Sequence, residues 1–331
     1  MMNAVQASKR GAELGLLAFG LLAALLAGEV AARLLRSSGR PGGYAPVRTD
    51  GRERRPINSK GYRDLERSIP KPEGVRRVLC LGDSFTWGVG VLFDDAWPQR
   101  VERLLARDGG RWEAVNLGEP GLNTVQEAQK LEAEGLAYEP DVVVLAYVLN
   151  DSEDANAAEA RRAADWLAER RAAAVAAPSL LERTALYPLV RDRLRATIEN
   201  RRRVEDFRSM YAESYAGWIA GRQALRTIAG RCRTRGLPLV VAVFPLFGNP
   251  LDDSYPFAAE HAKIAQAAAE TGARVVDLLP RYRGLDWRIL VVDGANDEHP
   301  NEIAQRIAAQ AIAREVREVL PQGPVAGAPR P

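Results

Sequence analysis

Five short stretches of this chain are apolar at nearly every position, and that pattern limits its architecture more than any other feature. They are RRVLCLG (76–82), WEAVNLG (112–118), DVVVLAYVL (141–149), PLVVAVFPL (238–246) and ARVVDLL (273–279). A strand with one wet face alternates apolar and polar residues. These stretches do not alternate, so both faces must be covered, as in a parallel sheet flanked by helices. The intervening segments 95–106, 124–136, 211–235 and 256–271 carry apolar residues at helical spacing. Strand–helix alternation of this kind predicts a doubly wound α/β sandwich around a parallel five-stranded sheet. One connection breaks the rhythm: residues 150–238 are far more than one crossover helix needs. Its first part, about 151–208, is rich in Ala and Arg and is expected to be a helical insertion.

The flanks read differently. Residues 14–28 (LGLLAFGLLAALLAG) carry no charge and follow Lys9 and Arg10. The run falls short of the roughly 20 residues a spanning helix needs, but Val30–Leu35 extend it, and Glu29 and Arg33 are spaced to pair along a helix. Residues 1–36 are therefore read as one N-terminal hydrophobic helix, a membrane anchor or signal segment. Residues 37–74 are polar and Gly/Pro-rich and read as a linker. The domain proper is expected at 75–320, with 321–331 a disordered tail.

Composition narrows the chemistry. The chain has 46 Lys and Arg against 43 Asp and Glu, a net charge of +3, and no basic cluster interleaved with aromatics, so nothing points to nucleic acid. Cys80 and Cys232 lie in or near apolar segments and read as free buried thiols. No Cys/His cluster has metal-ligand spacing, and no cofactor is implied. With only two histidines, His261 and His299, an imidazole base must be one of them. His261 falls mid-helix and reads as a surface or boundary residue.

In open α/β sheets ligands bind beyond the carboxyl ends of the strands. The first stretch ends there in Gly82-Asp83-Ser84, the second in Asn116-Leu117-Gly118 and the third in Asn150-Asp151. Asp297-Glu298-His299-Pro300-Asn301 precedes the last helix. A hydroxyl, a glycine amide, a carboxamide and an imidazole on one edge are the parts of a serine acyl-transfer site. The hydroxyl needs a base, the base a carboxylate to orient it, and the tetrahedral intermediate a set of preorganised donors.

GDSF at 82–85, N-x-G-x-x-G at 116–121, N-D at 150–151 and D-x-H-P-N at 297–301 resemble the motifs of the SGNH hydrolases, the GDSL esterase/lipase superfamily, in order and spacing over about 75–320. The longer strings GDSFTWGVGV, NTVQE and LNDSED are similar to a bacterial branch that is often membrane-anchored. The resemblance implies a three-layer flavodoxin-like sandwich. It also implies catalytic Ser84 and His299, with the Ser84 and Gly118 N–H groups and the Asn150 amide forming an oxyanion hole. The triad acid is expected at Asp297, with Asp293 as the fallback, because Asn296 occupies the position where many members carry it. Val148 replaces a common glycine, and Ala304-Gln305 replace a frequent Gly-His.

The function implied is a serine esterase cleaving a short-chain or O-acetyl ester of a small molecule or glycan. Two alternatives stand beside it: acyl or acetyl transfer onto envelope polysaccharide by the same site, and a catalytically inactive binding module. The N-terminal helix would place the domain on the extracytoplasmic side of a membrane, in the periplasm or at the cell surface. The sequence is silent on oligomeric state.

Overall fold

A computed structural model describes residues 16–17, 19–21, 23–34, 56–107, 109–154, 184–293 and 297–320, which fall into two units. The larger contains the five expected strands: β1 (Val75–Leu81), β2 (Arg111–Asn116), β3 (Val142–Tyr147), β4 (Leu239–Val243) and β5 (Arg274–Asp277). They form one parallel sheet in the order β2-β1-β3-β4-β5. The apolar runs are explained directly, since every residue of β3 and β4 is buried. The strand order reverses direction beside β1, which puts the end of β1 at the crevice such sheets use for ligands.

Helices follow the sheet in alternation. They are α1 (Ser84–Trp87), α2 (Trp97–Ala106), α3 (Thr124–Ala133), α4 (Leu186–Ser209), α5 (Ala216–Arg233), α6 (Ala258–Glu270), α7 (Leu279–Tyr282) and α8 (Glu302–Val319). α3 starts with a reciprocal capping box between Asn123 and Gln126. Cys80 and Cys232 are both free and buried.

Three features depart from the sequence reading. Residues 56–74, expected as linker, are built into the larger unit: Tyr62, Arg63 and Asp64 are buried there. A two-stranded antiparallel hairpin, β6 (Val291–Asp293) with β7 (Asp297–Pro300), precedes α8. His261, expected at the surface or boundary, is buried, its Nε2 2.7 Å from Asp277 Oδ1. The helix that carries it packs on the sheet, and the carboxylate supplies its partner.

The smaller unit comprises the described residues 16–34, which are helical, and residues 184–203. Glu29 pairs with Arg33 as its spacing suggested (2.8 Å). Its carboxylate also accepts the backbone N–H groups of Ala185 (2.8 and 2.9 Å) and Leu186 (2.8 Å), which caps the start of α4. The Ala185 N–H, then Arg33 and the Leu186 N–H, hold its pKa down at about 2. Among the described residues no helix is long and apolar enough to cross a membrane. The expected anchor and membrane attachment therefore find no support here: the uncharged run is too short, and Glu29 at its end serves as a helix cap. The linker residues 37–55, the insertion's 155–183, Asn296 and the tail 321–331 lie outside the described residues.

Candidate active site

The chain leaves β1 through Gly82 at φ +151°, where a Cβ would stand 2.1 Å from Thr86 Oγ1. Glycine is therefore required, and the sharp turn brings the chain straight into α1. Asp83 caps that helix, its Oδ1 accepting the Phe85 N–H at 2.9 Å. Ser84 follows as the first helical residue, partly exposed where its neighbours Asp83, Phe85 and Thr86 are buried.

Ser84 opens into a cavity of about 550 Å³, whose lining also includes Asp83, Asn150, Asp297, Glu298 and His299. His299 Nδ1 lies 2.6 Å from Asp297 Oδ1, which also accepts the His299 backbone N–H at 3.0 Å. Residues two apart on a strand share a face, so this contact is local to β7. Burial pushes the Asp297 carboxyl up, but the hydrogen bonds and charge of His299 outweigh it and hold the group below its ordinary value. With Nδ1 engaged, Nε2 is the imidazole nitrogen left to exchange a proton. The fallback acid Asp293 sits on β6, opposite Asp297 in the hairpin ladder.

Asp83 joins the serine to the carboxamide. Its Oδ2 accepts from Asn150 Nδ2 at 3.0 Å and from Ser84 Oγ at 3.4 Å. An amide nitrogen carries two hydrogens, so Asn150 retains one beyond the one given to Asp83. Burial raises the Asp83 pKa, opposed chiefly by the Asn150 and Phe85 hydrogen bonds. Beneath it, Asp151 Oδ2 accepts the Val148 N–H at 3.0 Å and so ties the Asn150 loop. Glu127 of α3 is wholly buried, and among the described residues neither of its carboxyl oxygens has a hydrogen-bond partner. Burial and then the Asp83 charge push its pKa well up.

The structure does not bring Gly118 to this group as expected. Its N–H donates to Asn116 Oδ1 at 2.9 Å, and a Cβ there would lie 2.5 Å from the Trp87 nitrogen. The glycine permits close packing under α1 and offers no free donor. Gly121, three residues on, has φ +85° and open space where a Cβ would be. Among the described residues neither the Gly121 nor the Ser84 N–H meets an acceptor. The turn holding Gly121 is tied at one end by the Glu119 N–H to Gly82 O (3.1 Å) and at the other by Asn123 Nδ2 to Glu153 O (3.0 Å).

Sequence reasoning missed Leu246 and Glu298 as lining residues. Glu298 packs on Gly248, where a Cβ would collide with its carboxyl group. Its position beside His299 was the only available signal. Phe85 is both core and lining: it is buried against Phe244 and Phe247, with its ring edge-on to His299 (centroids 5.7 Å). Among the described residues no group of three or more His, Cys, Asp or Glu could hold a metal ion.

Comparison with known proteins bears on the family. No curated protein matches the sequence. Solved structures that resemble it include a lipase/acylhydrolase from Enterococcus faecalis, 15% identical, covering 75% of this chain and 98% of that one with a TM-score of 0.45. TesA is 15% identical, over 74% of this chain and all of its own, with a TM-score of 0.44. The acetyl xylan esterase AlAXEase is 15% identical, over 72% and 99%, also with a TM-score of 0.44. The model of the GDSL-like lipase/acylhydrolase family matches residues 80–307, well over half the chain, and the protein belongs to that family of hydrolases.

Proposed function

We propose that this protein is a serine esterase that cleaves a short-chain or O-acetyl ester of a small molecule or glycan through an acyl-enzyme on Ser84. The observation that carries this reading is the shared cavity lined by Ser84, Asn150 and a His299–Asp297 pair in 2.6 Å contact. Ser84 Oγ attacks the ester carbonyl carbon as His299 Nε2 takes its proton, and Asp297 stabilises the imidazolium. The resulting oxyanion is held by the Ser84 N–H and the second Asn150 hydrogen. We assign the remaining backbone donor to Gly121, because the Gly118 N–H is already spent on Asn116. As the intermediate collapses, the carbonyl–alkoxy bond breaks and the alcohol leaves with the proton from His299. Water, deprotonated in turn by His299, then attacks the acyl-enzyme and frees the acid and Ser84. Asp83, Asp297 and Glu298 give the cavity an acidic lining, which favours neutral over anionic esters.

Hydrolysis of p-nitrophenyl acetate by the purified chain, with Ser84→Ala as control, tests the reading. The expected result is turnover in the wild type and a loss of at least about 10³-fold in the variant. Equal rates in the two would refute it.

A further inference from the structure

Four residues make a poor helix, because one turn fixes several dihedral pairs for a single hydrogen bond. Yet α1 must present Ser84 in one orientation. Its carbonyl oxygens are met one by one from separate parts of the unit. Ser84 O accepts locally from the Gly88 and Val89 N–H groups (3.0 and 3.1 Å). Phe85 O accepts from Gln305 Nε2 of α8 (3.1 Å), and Thr86 O from Asn116 Nδ2 at the end of β2 (3.1 Å). Trp87 O accepts from Arg63 Nη1 (3.1 Å), 24 residues upstream.

Arg63 does more than any other of these partners. The same Nη1 donates to Gly88 O, and Nη2 donates to Val91 O at 2.6 Å. Its side chain is buried, with the residue 1% exposed. The segment that carries it is itself anchored: Asn116 Nδ2 donates to Arg63 O (3.3 Å), and the Asn116 N–H to Asp64 Oδ2 (3.1 Å). A planar guanidinium can reach three diverging carbonyls from one point, which a lysine ammonium on its flexible stem does not reproduce. A cation at the carboxyl end of a helix is also favoured by the backbone dipoles.

We propose that Arg63 is a positioning residue for the proposed reaction: its buried guanidinium clamps the far end of the 84–91 turn and thereby fixes the direction of Ser84 Oγ and N–H. The proposal rests on the reading of Ser84 as nucleophile. It differs from a general stabilising role, which would lower the melting temperature but leave the rate per folded molecule unchanged.

The test compares wild type, Arg63→Lys and Arg63→Ala in the full chain by two readouts. Hydrogen–deuterium exchange reports protection of the 84–91 amides against those of β3. Fluorophosphonate labelling at Ser84, normalised to folded protein and blanked with Ser84→Ala, is read with kcat and KM on p-nitrophenyl acetate. In Arg63→Ala, exchange at 84–91 should rise with β3 unchanged, and labelling and kcat should fall about 10- to 100-fold with little change in KM. Free guanidinium ion should restore part of the lost labelling. Arg63→Lys, which keeps charge and most of the stem, should recover only a small share and decides the matter if the alanine variant does not fold. A folded variant with wild-type protection at 84–91, or with wild-type labelling, would overturn the proposal. An unlabelled wild type would instead refute the Ser84 reading, and the exchange arm would still decide whether Arg63 holds the turn.

Discussion

The two halves of the candidate site are supported in opposite ways. The serine half is held by the fold at large: α1 is bonded to the 56–74 segment, β2 and α8, and Asp83 beneath it is 1% exposed. The histidine half is held by its own neighbourhood. His299 is bonded to Asp297 two residues away, on a hairpin whose other strand is three residues long, and both side chains are 32% exposed. Asn301 secures that hairpin by donating from Nδ2 to Ile289 O and Val291 O (2.9 and 3.1 Å). A nucleophile attacks along one direction and tolerates little error, whereas an imidazole exchanging a proton works from a local pair that can adjust. Distant variants should therefore damage the serine half and spare the histidine half.

The largest effect that would break this contrast is His299→Ala. Its expected cost is at least about 10³-fold in kcat, with no change in the melting temperature beyond about 2 °C. A large loss of stability would mean that the hairpin is woven into the fold as tightly as α1.

Asp297→Asn should cost about 10²- to 10⁴-fold in kcat by leaving the imidazole in the wrong tautomer. It also carries a pH signature. Because His299 holds Asp297 below its ordinary value of 3.8, the stabilising contribution is complete above that value and is lost as pH falls through the lower folded one. The stability difference between wild type and variant, measured by urea titration, should thus shrink only below about pH 4.

Asn150→Ala removes one proposed oxyanion donor and should lower kcat by about 10²-fold with KM nearly unchanged. It also strips a hydrogen bond from buried Asp83, so a modest loss of stability should accompany it, unlike the case of His299.

The smallest effect tests the floor of the serine half. Burial lifts the folded pKa of Glu127 well above its ordinary value of 4.5, so the unfolded chain releases that proton first and wild-type stability falls as pH rises past 4.5. Glu127→Gln mimics the protonated form and removes that residue's share of the slope. It should be more stable than wild type at pH 8, with the gap closing toward pH 4.

What the sequence disclosed follows the same division. The sheet was legible because its most buried strands, β3 and β4, are runs of consecutive apolar residues. His299 and Asp297 were legible as a short local string. The scaffold of Ser84 was not, because its bonds run between backbone carbonyls and side chains far away in sequence. Arg63 sits in a polar, glycine-bearing stretch that composition alone assigns to a linker. Gln305 was visible only as a departure from the family pattern, and its bonds to Phe85 O and the Trp97 N–H (2.9 Å) give that departure a purpose. Gly118 shows the limit most plainly. The spacing N-x-G-x-x-G offers two glycines, and which N–H is free depends on Asn116 turning its side chain back to take one of them.

The strap around Arg63 also bears on where this enzyme begins. The recognisable family region starts at residue 80 and the first strand at Val75, so a chain trimmed to either boundary keeps Ser84, Asn150, Asp297 and His299. It loses the guanidinium, the Asp64 carboxylate that receives the Asn116 N–H, and the Tyr62 hydroxyl bonded to Glu134 at 2.8 Å. Every motif would survive such trimming, while the carbonyls at the end of α1 would turn to water. The folded unit that surrounds the candidate site is thus larger than the stretch its signatures mark out.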